Sequence, residues 1–177
     1  NSWEVKISQQ IAEQCFKLPQ LNEKVTKLYT SEDFYAFFKP GTKLSTTSTI
    51  SGCIAKKGDY ELANATSNQI IVDFGLHYNG STFNRSKGYV KIETQMTQEM
   101  ADAVSRPYKL ENASDIFVAP QTFTGTLGHK DGYRVTPEFH LNVDAGGKNV
   151  RRELPSGRSS DGEYITIATE YDKNGNV

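Results

Sequence analysis

DIFVAPQTFTGTLGHKDGYRVTPEFHLNVD, residues 115–144, is the stretch that decides the predicted fold. In its second half apolar and polar residues alternate, and a period of two places the two sets on opposite faces of an extended strand. The apolar set is Tyr133, Val135, Phe139, Leu141 and Val143, and the polar set is Arg134, Thr136, Glu138, His140 and Asn142. The glycines of GHKDG at 128–132 suit a chain reversal between the halves. The stretch therefore predicts a β-hairpin with its apolar face on a core.

The front of the chain predicts helices. Apolar residues recur every three or four positions from Trp3 to Leu18 and again from Leu21 to Tyr29, as in a helix with one buried stripe. Thr30 with an acidic residue three positions later is the start signal of a third, short helix, which Pro40 ends. Segment 1–40 is therefore expected to be helical.

The rest of the chain predicts mainly strands, rich in β-branched residues or alternating in polarity. The predicted strands outside the first hairpin cover 42–53, 69–78, 89–97 and 163–171. The strands at 69–78 and 89–97 are expected to form a second hairpin. Thr97 is the predicted cap of one short inserted helix, which Arg106-Pro107 closes.

These elements predict the α+β class. N-terminal helices precede a mostly antiparallel β-sheet of about six strands, sandwich-like or curved, with one short inserted helix. At 177 residues, a single domain is the default, with a helical segment 1–40 and a β-rich body 42–177. Because the chain starts at Asn1 and stops after a turn-like Asn174-Gly175, we expect it to be a fragment of a longer protein.

Composition narrows the functional classes. The 20 basic and 21 acidic residues nearly balance, whereas nucleic-acid binders usually carry a basic excess, so RNA is only a minor candidate partner. No apolar run reaches the roughly 18 residues that span a bilayer, and the polar start NSWEVKISQQ is not typical of a signal peptide. Four N-x-S/T sequons in a chain rich in Ser, Thr and Asn favour an extracytoplasmic, secreted or surface protein.

The histidines are the candidate catalytic residues. His77 and His140 lie on the polar faces of predicted strands and would meet if the hairpins pair, whereas His129 lies in the predicted turn. With Asp73 or Glu138 nearby, such a pair could transfer protons or bind a metal, although surface histidines are the simpler interpretation. Because their spacing matches no known zinc pattern, no metal site and no cofactor are predicted.

Two cysteines, Cys15 and Cys53, permit one intramolecular disulfide. Burial as two free thiols is the alternative, since cysteine packs as a small apolar residue. The sequence does not decide between the two states.

A basic loop is the candidate binding site. The segment 144–162 carries four basic residues among small ones: Lys148, Arg151, Arg152 and Arg158. Guanidinium groups bind phosphates, carboxylates and acidic sugars, so the loop could bind an anion. A long mobile loop whose charge is diluted by Glu153 and Asp161 is the alternative. Nucleophile and nucleotide motifs such as G-x-S-x-G, the P-loop, C-x-x-C and H-E-x-x-H do not occur, which leaves enzymatic activity open.

The order of segments resembles that of the mono-ADP-ribosyltransferases. LYTSEDFYAFFKPGTKLSTTST at 28–49 is followed by an apolar run near Ile71 and by NASDIFVAPQTF at 112–123. The hydroxyl run at 45–49 is similar to the Ser-Thr-Ser segment of that family. Thr30 stands where the family has an arginine, and Asp115 where it has the catalytic glutamate. The resemblance therefore implies a degenerate domain of this kind.

Three functions follow as hypotheses. The first is an extracytoplasmic binding or adhesion module that recognises a glycan or a protein through loops at one end of the sheet. The second is the C-terminal toxin domain of a secreted bacterial effector, either an RNase using histidines and arginines or the degenerate transferase. The third is a structural subunit of a pilus, capsid or phage tail.

Overall fold

The computed structural model describes residues 5–8, 17–38, 48–59, 65–74, 76, 80–105, 115–118, 138–141, 146 and 150–177. Four of the candidate site residues lie outside these ranges: Cys15, His77, His129 and Lys148.

Ten strands and three α-helices form within the described residues. The strands are β1 Val5–Ser8, β2 Lys24–Thr30, β3 Thr49–Ile50, β4 Gly52–Lys56, β5 Tyr89–Gln95, β6 Val104–Ser105, β7 Asp115–Val118, β8 Phe139–Leu141, β9 Arg152–Glu153 and β10 Ile167–Tyr171. The helices are α1 Ser31–Phe38, α2 Ser67–Asp73 and α3 Gln98–Ala103, and a 3-10 turn covers Lys57–Asp59. None of the described helices combines the length and the apolar character that crossing a bilayer requires.

Six strands form one antiparallel sheet in the order β10-β5-β2-β4-β8-β6. Its longest pairing joins β2 and β5, from Lys24 opposite Gln95 to Thr30 opposite Tyr89. Two smaller sheets pair β1 with β7 and β3 with β9. The chain is therefore α+β with a six-stranded antiparallel sheet, as the sequence predicts at that level.

The first two predicted N-terminal helices, over 3–29, are wrong where the structure describes them, whereas the third, after Thr30, forms α1. Val5–Ser8 is strand β1, and the second predicted helical run contains β2. Both faces of β2 are covered by packed side chains: Val25 and Tyr29 are buried on one face, Thr26 and Thr30 on the other. Burial on both faces removes the alternation of a strand. The apolar residues of this segment then recur every three or four positions, as they would in a helix. The sequence KVTKLYT is nevertheless rich in strand-forming residues.

The predicted strand over 69–78 is also wrong, because Ser67–Asp73 forms α2. The Thr66 hydroxyl accepts a hydrogen bond from the Gln69 backbone at 3.1 Å, and the Gln69 side chain accepts one from the Thr66 backbone at 2.8 Å. This capping box fixes the start of a helix. The buried residues share one helical face: Ile70, Ile71 and Phe74. The second predicted hairpin, which needs a strand here, is therefore wrong as well.

Three predicted elements are confirmed. Thr30 caps α1 by accepting a hydrogen bond from the Asp33 backbone at 3.1 Å. Thr97 caps α3 by accepting one from the Met100 backbone, also at 3.1 Å. The predicted strand over 89–97 forms as β5, which buries Val90, Ile92 and, just after the strand, Met96.

The stretch 115–144 contributes to two different sheets. Its first four residues form β7, which pairs with β1, whereas β8 lies between β4 and β6. The predicted hairpin is wrong at these residues, because both edges of β8 are paired with other strands and β7 lies in a separate sheet. Its predicted turn at 128–132 lies outside the described residues. The predicted alternation holds for Phe139 and Leu141, which are fully buried. Glu138, from the predicted polar face, is only 8% exposed.

Apolar side chains cover both faces of the six-stranded sheet. The larger core joins the face of Val90 and Ile92 to Phe38 of α1 and Met100 of α3. Tyr89 alternates with Val90 along β5, so it faces the opposite side, where Ile70 of α2 and other residues form the smaller core. Helices therefore lie on both sides of the sheet.

Tyr89 is buried, and its ionisation is expected to lower the stability of the fold at alkaline pH. The side chain is 3% exposed, and its hydroxyl donates a hydrogen bond to the Ala65 carbonyl at 2.6 Å. Burial, with smaller contributions from Tyr171 and Asp172, raises the pKa of Tyr89 to about 12 from an ordinary value of 10.0. A raised folded-state pKa means that this contribution to stability is complete below pH 10 and is lost as the pH rises through 12.

We therefore expect the free energy of unfolding to fall between about pH 10 and pH 12, and to fall less steeply in Tyr89→Phe. Urea unfolding at a series of pH values measures this slope. Tyr164→Phe, at a tyrosine that is 53% exposed, is the control and should keep the wild-type slope. Equal slopes for wild type and Tyr89→Phe would contradict the prediction.

Candidate functional site

A cavity of about 410 Å³ lies between the sheet and the chain segment that precedes β10. The sheet side contributes residues of β2, β5 and the 3-10 turn, and the other wall is formed by residues 158–167. The lining residues are Lys24, Lys57, Glu93, Thr94, Arg158, Gly162, Glu163, Tyr164, Ile165 and Ile167. Small-molecule sites in proteins have volumes of roughly 300 to 1,000 Å³, so this cavity has the size of a binding site.

The outer wall of the cavity is a small hydrogen-bonded turn. Arg158 and Tyr164 form an antiparallel bridge. Inside the bridge, the Ser159 amide donates to the Glu163 carbonyl at 2.7 Å. Gly162 has a φ of +87°, a conformation that favours glycine. Arg158 is therefore held at one end of an ordered turn.

Arg158 and Tyr164 present a cation and an aromatic ring together. The guanidinium of Arg158 lies 4.1 Å from the centroid of the Tyr164 ring, which is a cation–π contact. Arg158 also donates a hydrogen bond to the Gly162 carbonyl at 2.6 Å. Within the described part of the chain, it forms no ion pair with a carboxylate. The remaining donors of its guanidinium are thus open to an anionic ligand.

Two further cations line the cavity, and each has an acidic neighbour. Lys24 lies 3.7 Å from Glu163, and Lys57 lies 3.3 Å from Glu93. Burial by itself would raise the pKa of Glu93, but the charges and hydrogen bonds of Lys91 and Lys57 outweigh it and lower that pKa. Glu93 is therefore ionised at neutral pH. With three cations against two carboxylates, the lining carries a net positive charge.

The arginines of the predicted basic loop do not share this cavity. Arg151 lies over the Phe37 ring of α1 at 4.7 Å. Arg152, in β9, lies 3.5 Å from Glu99 of α3. Only Arg158 lines the cavity, and Lys148 lies outside the described residues. A single anion site formed by all four residues therefore stays a prediction.

A second group of chemically active side chains converges on β4 and β8. Cys53 and His140 are register partners in this pair of strands, and Glu138 precedes His140 by two residues. One ligand atom from each of the three residues lies within 4.8 Å of the other two. Nε2 of His140 lies 3.1 Å from Oε1 of Glu138, a hydrogen-bonding distance.

The thiol of Cys53 is protonated in this arrangement. Burial by neighbouring atoms, followed by the charge of Glu138 and a hydrogen bond to it, raises the pKa of the thiol, although the residue keeps solvent access. Nζ of Lys27 donates to the Cys53 carbonyl at 3.2 Å, and burial lowers the pKa of this amine. A protonated thiol is a poor nucleophile, so the arrangement does not favour cysteine catalysis.

Of the predicted histidine pair, His140 lies within the described residues. His140 is half-buried and contacts Glu138, one of its two predicted carboxylate neighbours. Asp73 is the last residue of α2 and not part of a strand, and His77 and His129 lie outside the described residues. Cys53 is a free thiol here, but because Cys15 also lies outside these residues, the disulfide stays a prediction.

Of the residues that line the cavity, sequence reasoning singled out Arg158 for binding, and it did not place Cys53 beside His140. Lys24, Lys57 and Tyr164 come from three separate elements, and no local pattern joins them. The exposed turn residues between Gly157 and Gly162 were the only available signal. Cys53 was treated solely as a disulfide partner, because the sequence does not give its register with His140.

Comparison with known proteins returned no relative: no protein-family model, no curated protein and no solved structure matches the chain. The proposals that follow therefore depend on the geometry of the described residues.

Proposed function

We propose that the chain is a binding module of a secreted or surface protein, and that it recognises an acidic glycan through the cavity at Arg158. The observation that supports this most directly is the guanidinium of Arg158 over the exposed ring of Tyr164, inside a cavity with two lysines. A sugar acid carries a carboxylate for the guanidinium and a C–H face for the ring. Both groups are therefore matched by neighbouring side chains.

The charges of the site favour an acidic ligand over a neutral one. Lys24 and Lys57 each form an ion pair with a carboxylate of the protein. They therefore add positive charge to the cavity, but their ammonium groups already have a partner. Arg158 supplies the donors that a carboxylate accepts in pairs. Such binding weakens as salt screens the charges, and we expect affinity to fall as the ionic strength rises.

The test is binding of the 177-residue chain to an array of glycans with and without sialic or uronic acids. We expect binding to acidic glycans only, weakened about 10- to 100-fold by Arg158→Ala, because hydrogen bonds to charged groups contribute about 1.5 to 3 kcal/mol. Tyr164→Ala should also weaken it. A protein ligand, detected on a protein array with the same dependence on Arg158, would replace the glycan in this account.

Arg151→Ala is the matched control, since Arg151 also lies over an aromatic ring but lines no part of the cavity. Its affinity should equal that of the wild type. Equal losses for Arg151→Ala and Arg158→Ala, or no acidic glycan bound at all, would contradict the proposal.

The toxin and the structural-subunit hypotheses stay predictions. A histidine-dependent toxin relies in part on His77 and His129, which the structure does not describe. Growth arrest by alanine variants of the three histidines tests the first hypothesis, and light scattering for polymers tests the second.

A further inference from the structure

We propose that Cys53, Glu138 and His140 form a binding site for a divalent cation of the Zn²⁺ type, in which no further residue that the structure describes supplies a fourth ligand. None of the three residues lines the cavity at Arg158, so the site is independent of the proposed function. Thiolate, imidazole and carboxylate are the three side-chain ligands that zinc takes in proteins. The soft sulfur ligand selects zinc or cobalt over calcium and magnesium, which prefer oxygen.

The distances suit a tetrahedral ion. Zinc–ligand bonds of about 2.0 to 2.3 Å at tetrahedral angles place the ligand atoms roughly 3.3 to 3.8 Å apart. His140 and Glu138 are already 3.1 Å apart, and all three ligand atoms lie within 4.8 Å of one another. Side-chain movements of roughly 1 Å therefore complete the geometry around a zinc ion.

The backbone holds the three ligands in place without a metal. Cys53 is opposite His140 in the β4–β8 ladder, and Ser105 of β6 is opposite His140 on the other side. Two residues of spacing place Glu138 on the same face of β8 as His140. The ligands thus come from two paired strands, β4 and β8 with the residue before it, and strands position ligands more accurately than a loop does.

Burial and charge also fit a bound cation. The side chain of Glu138 is 10% exposed and that of His140 is 34% exposed, whereas Cys53 is exposed, which leaves an entry path at the cysteine. Binding exchanges the thiol proton for the metal, because a coordinating thiol is deprotonated. The resulting thiolate and the Glu138 carboxylate together neutralise a divalent cation. The Lys27 amine lies beyond them, at the Cys53 carbonyl.

The test is titration of the reduced 177-residue chain with Co²⁺, followed by displacement with Zn²⁺. We expect one equivalent of Co²⁺ to produce a thiolate-to-metal charge-transfer band and visible ligand-field bands of four-coordinate cobalt. Cys53→Ser should abolish the charge-transfer band. His140→Asn and Glu138→Gln should each weaken binding by more than about tenfold, since even the outer partners of metal ligands contribute that much.

Glu32→Gln is the control, because Glu32 is a carboxylate bonded to Lys87 and does not belong to the ligand group, so this variant should bind Co²⁺ as the wild type does. Circular dichroism of each variant shows whether its fold is kept. Zn²⁺ should raise the thermal midpoint of the wild type but not of Cys53→Ser, because a ligand that binds the folded state stabilises it. A wild type that gives no band at millimolar Co²⁺, or a band that survives Cys53→Ser, would overturn the proposal.

Discussion

Replacing Phe139 by alanine is expected to lower the free energy of unfolding by about 3 to 5 kcal/mol, the usual cost of removing a buried phenylalanine. Phe139 has no exposed surface and pairs with the buried Ile54 across the β4–β8 ladder. It lies between Glu138 and His140 in sequence, and alternation directs its ring to the opposite face, into the larger core. Its loss therefore leaves a cavity directly beneath the proposed metal ligands.

Urea unfolding of Phe139→Ala measures the effect. Phe37→Ala is the control, because Phe37 is also an aromatic residue at a core edge but is 51% exposed, and it should cost only about 1 kcal/mol. If Phe139→Ala is no more destabilising than Phe37→Ala, the position of β8 inside the sheet is wrong.

The second large effect is expected for Gly88→Ala, at the entry to β5. A Cβ on Gly88 would overlap the Tyr171 carbonyl oxygen, and it would lie 3.1 Å from the Tyr171 carbonyl carbon and 3.2 Å from Cα of Asp172. All three atoms belong to backbone, which cannot rotate away as a side chain can. We therefore expect β10 to separate from β5, at a cost of more than about 3 kcal/mol.

Gly58→Ala is the matched control, since no atom lies within 4 Å of a Cβ placed there. Its stability should stay within about 0.5 kcal/mol of the wild type, as for most surface substitutions. Amide hydrogen exchange adds a local measurement, because Gly88→Ala should remove protection from β10 before the rest of the sheet. Full protection of Ile167–Tyr171 in that variant would contradict the close approach of Gly88.

Some helices and strands could be predicted from residues close together in the sequence. Thr30 and Thr97 predict α1 and α3 because a capping hydroxyl acts on backbone amides only three residues away. The strand β5 was predictable because its inward residues alternate with half-buried charged ones. These elements are specified by residues within a few positions of each other.

Other elements depend on contacts that the sequence does not display. The strand β2 was mistaken for a helix because burial on both faces hides its alternation. The run after Thr66 satisfies the strand and the helix pattern equally, and the capping box decides in favour of α2. At the candidate sites, Arg158 and His140 were predicted as functional residues. That Lys24 and Lys57 lie near Arg158, and Cys53 near His140, depends on how distant segments pair in the fold.

The measurement that tests the account most directly is a cross-strand disulfide between Cys53 and a cysteine at position 140. Cross-strand partners have Cβ atoms about 4.5 to 5.5 Å apart, close enough for a disulfide to form after a small adjustment. In a Cys15→Ser background, oxidation of His140→Cys should therefore link residues 53 and 140, as peptide mass spectrometry would show. Ser105→Cys, one strand further from Cys53 in β6, should stay unlinked. Two free thiols in the folded, oxidised His140→Cys protein would contradict the register that forms both the sheet and the proposed metal site.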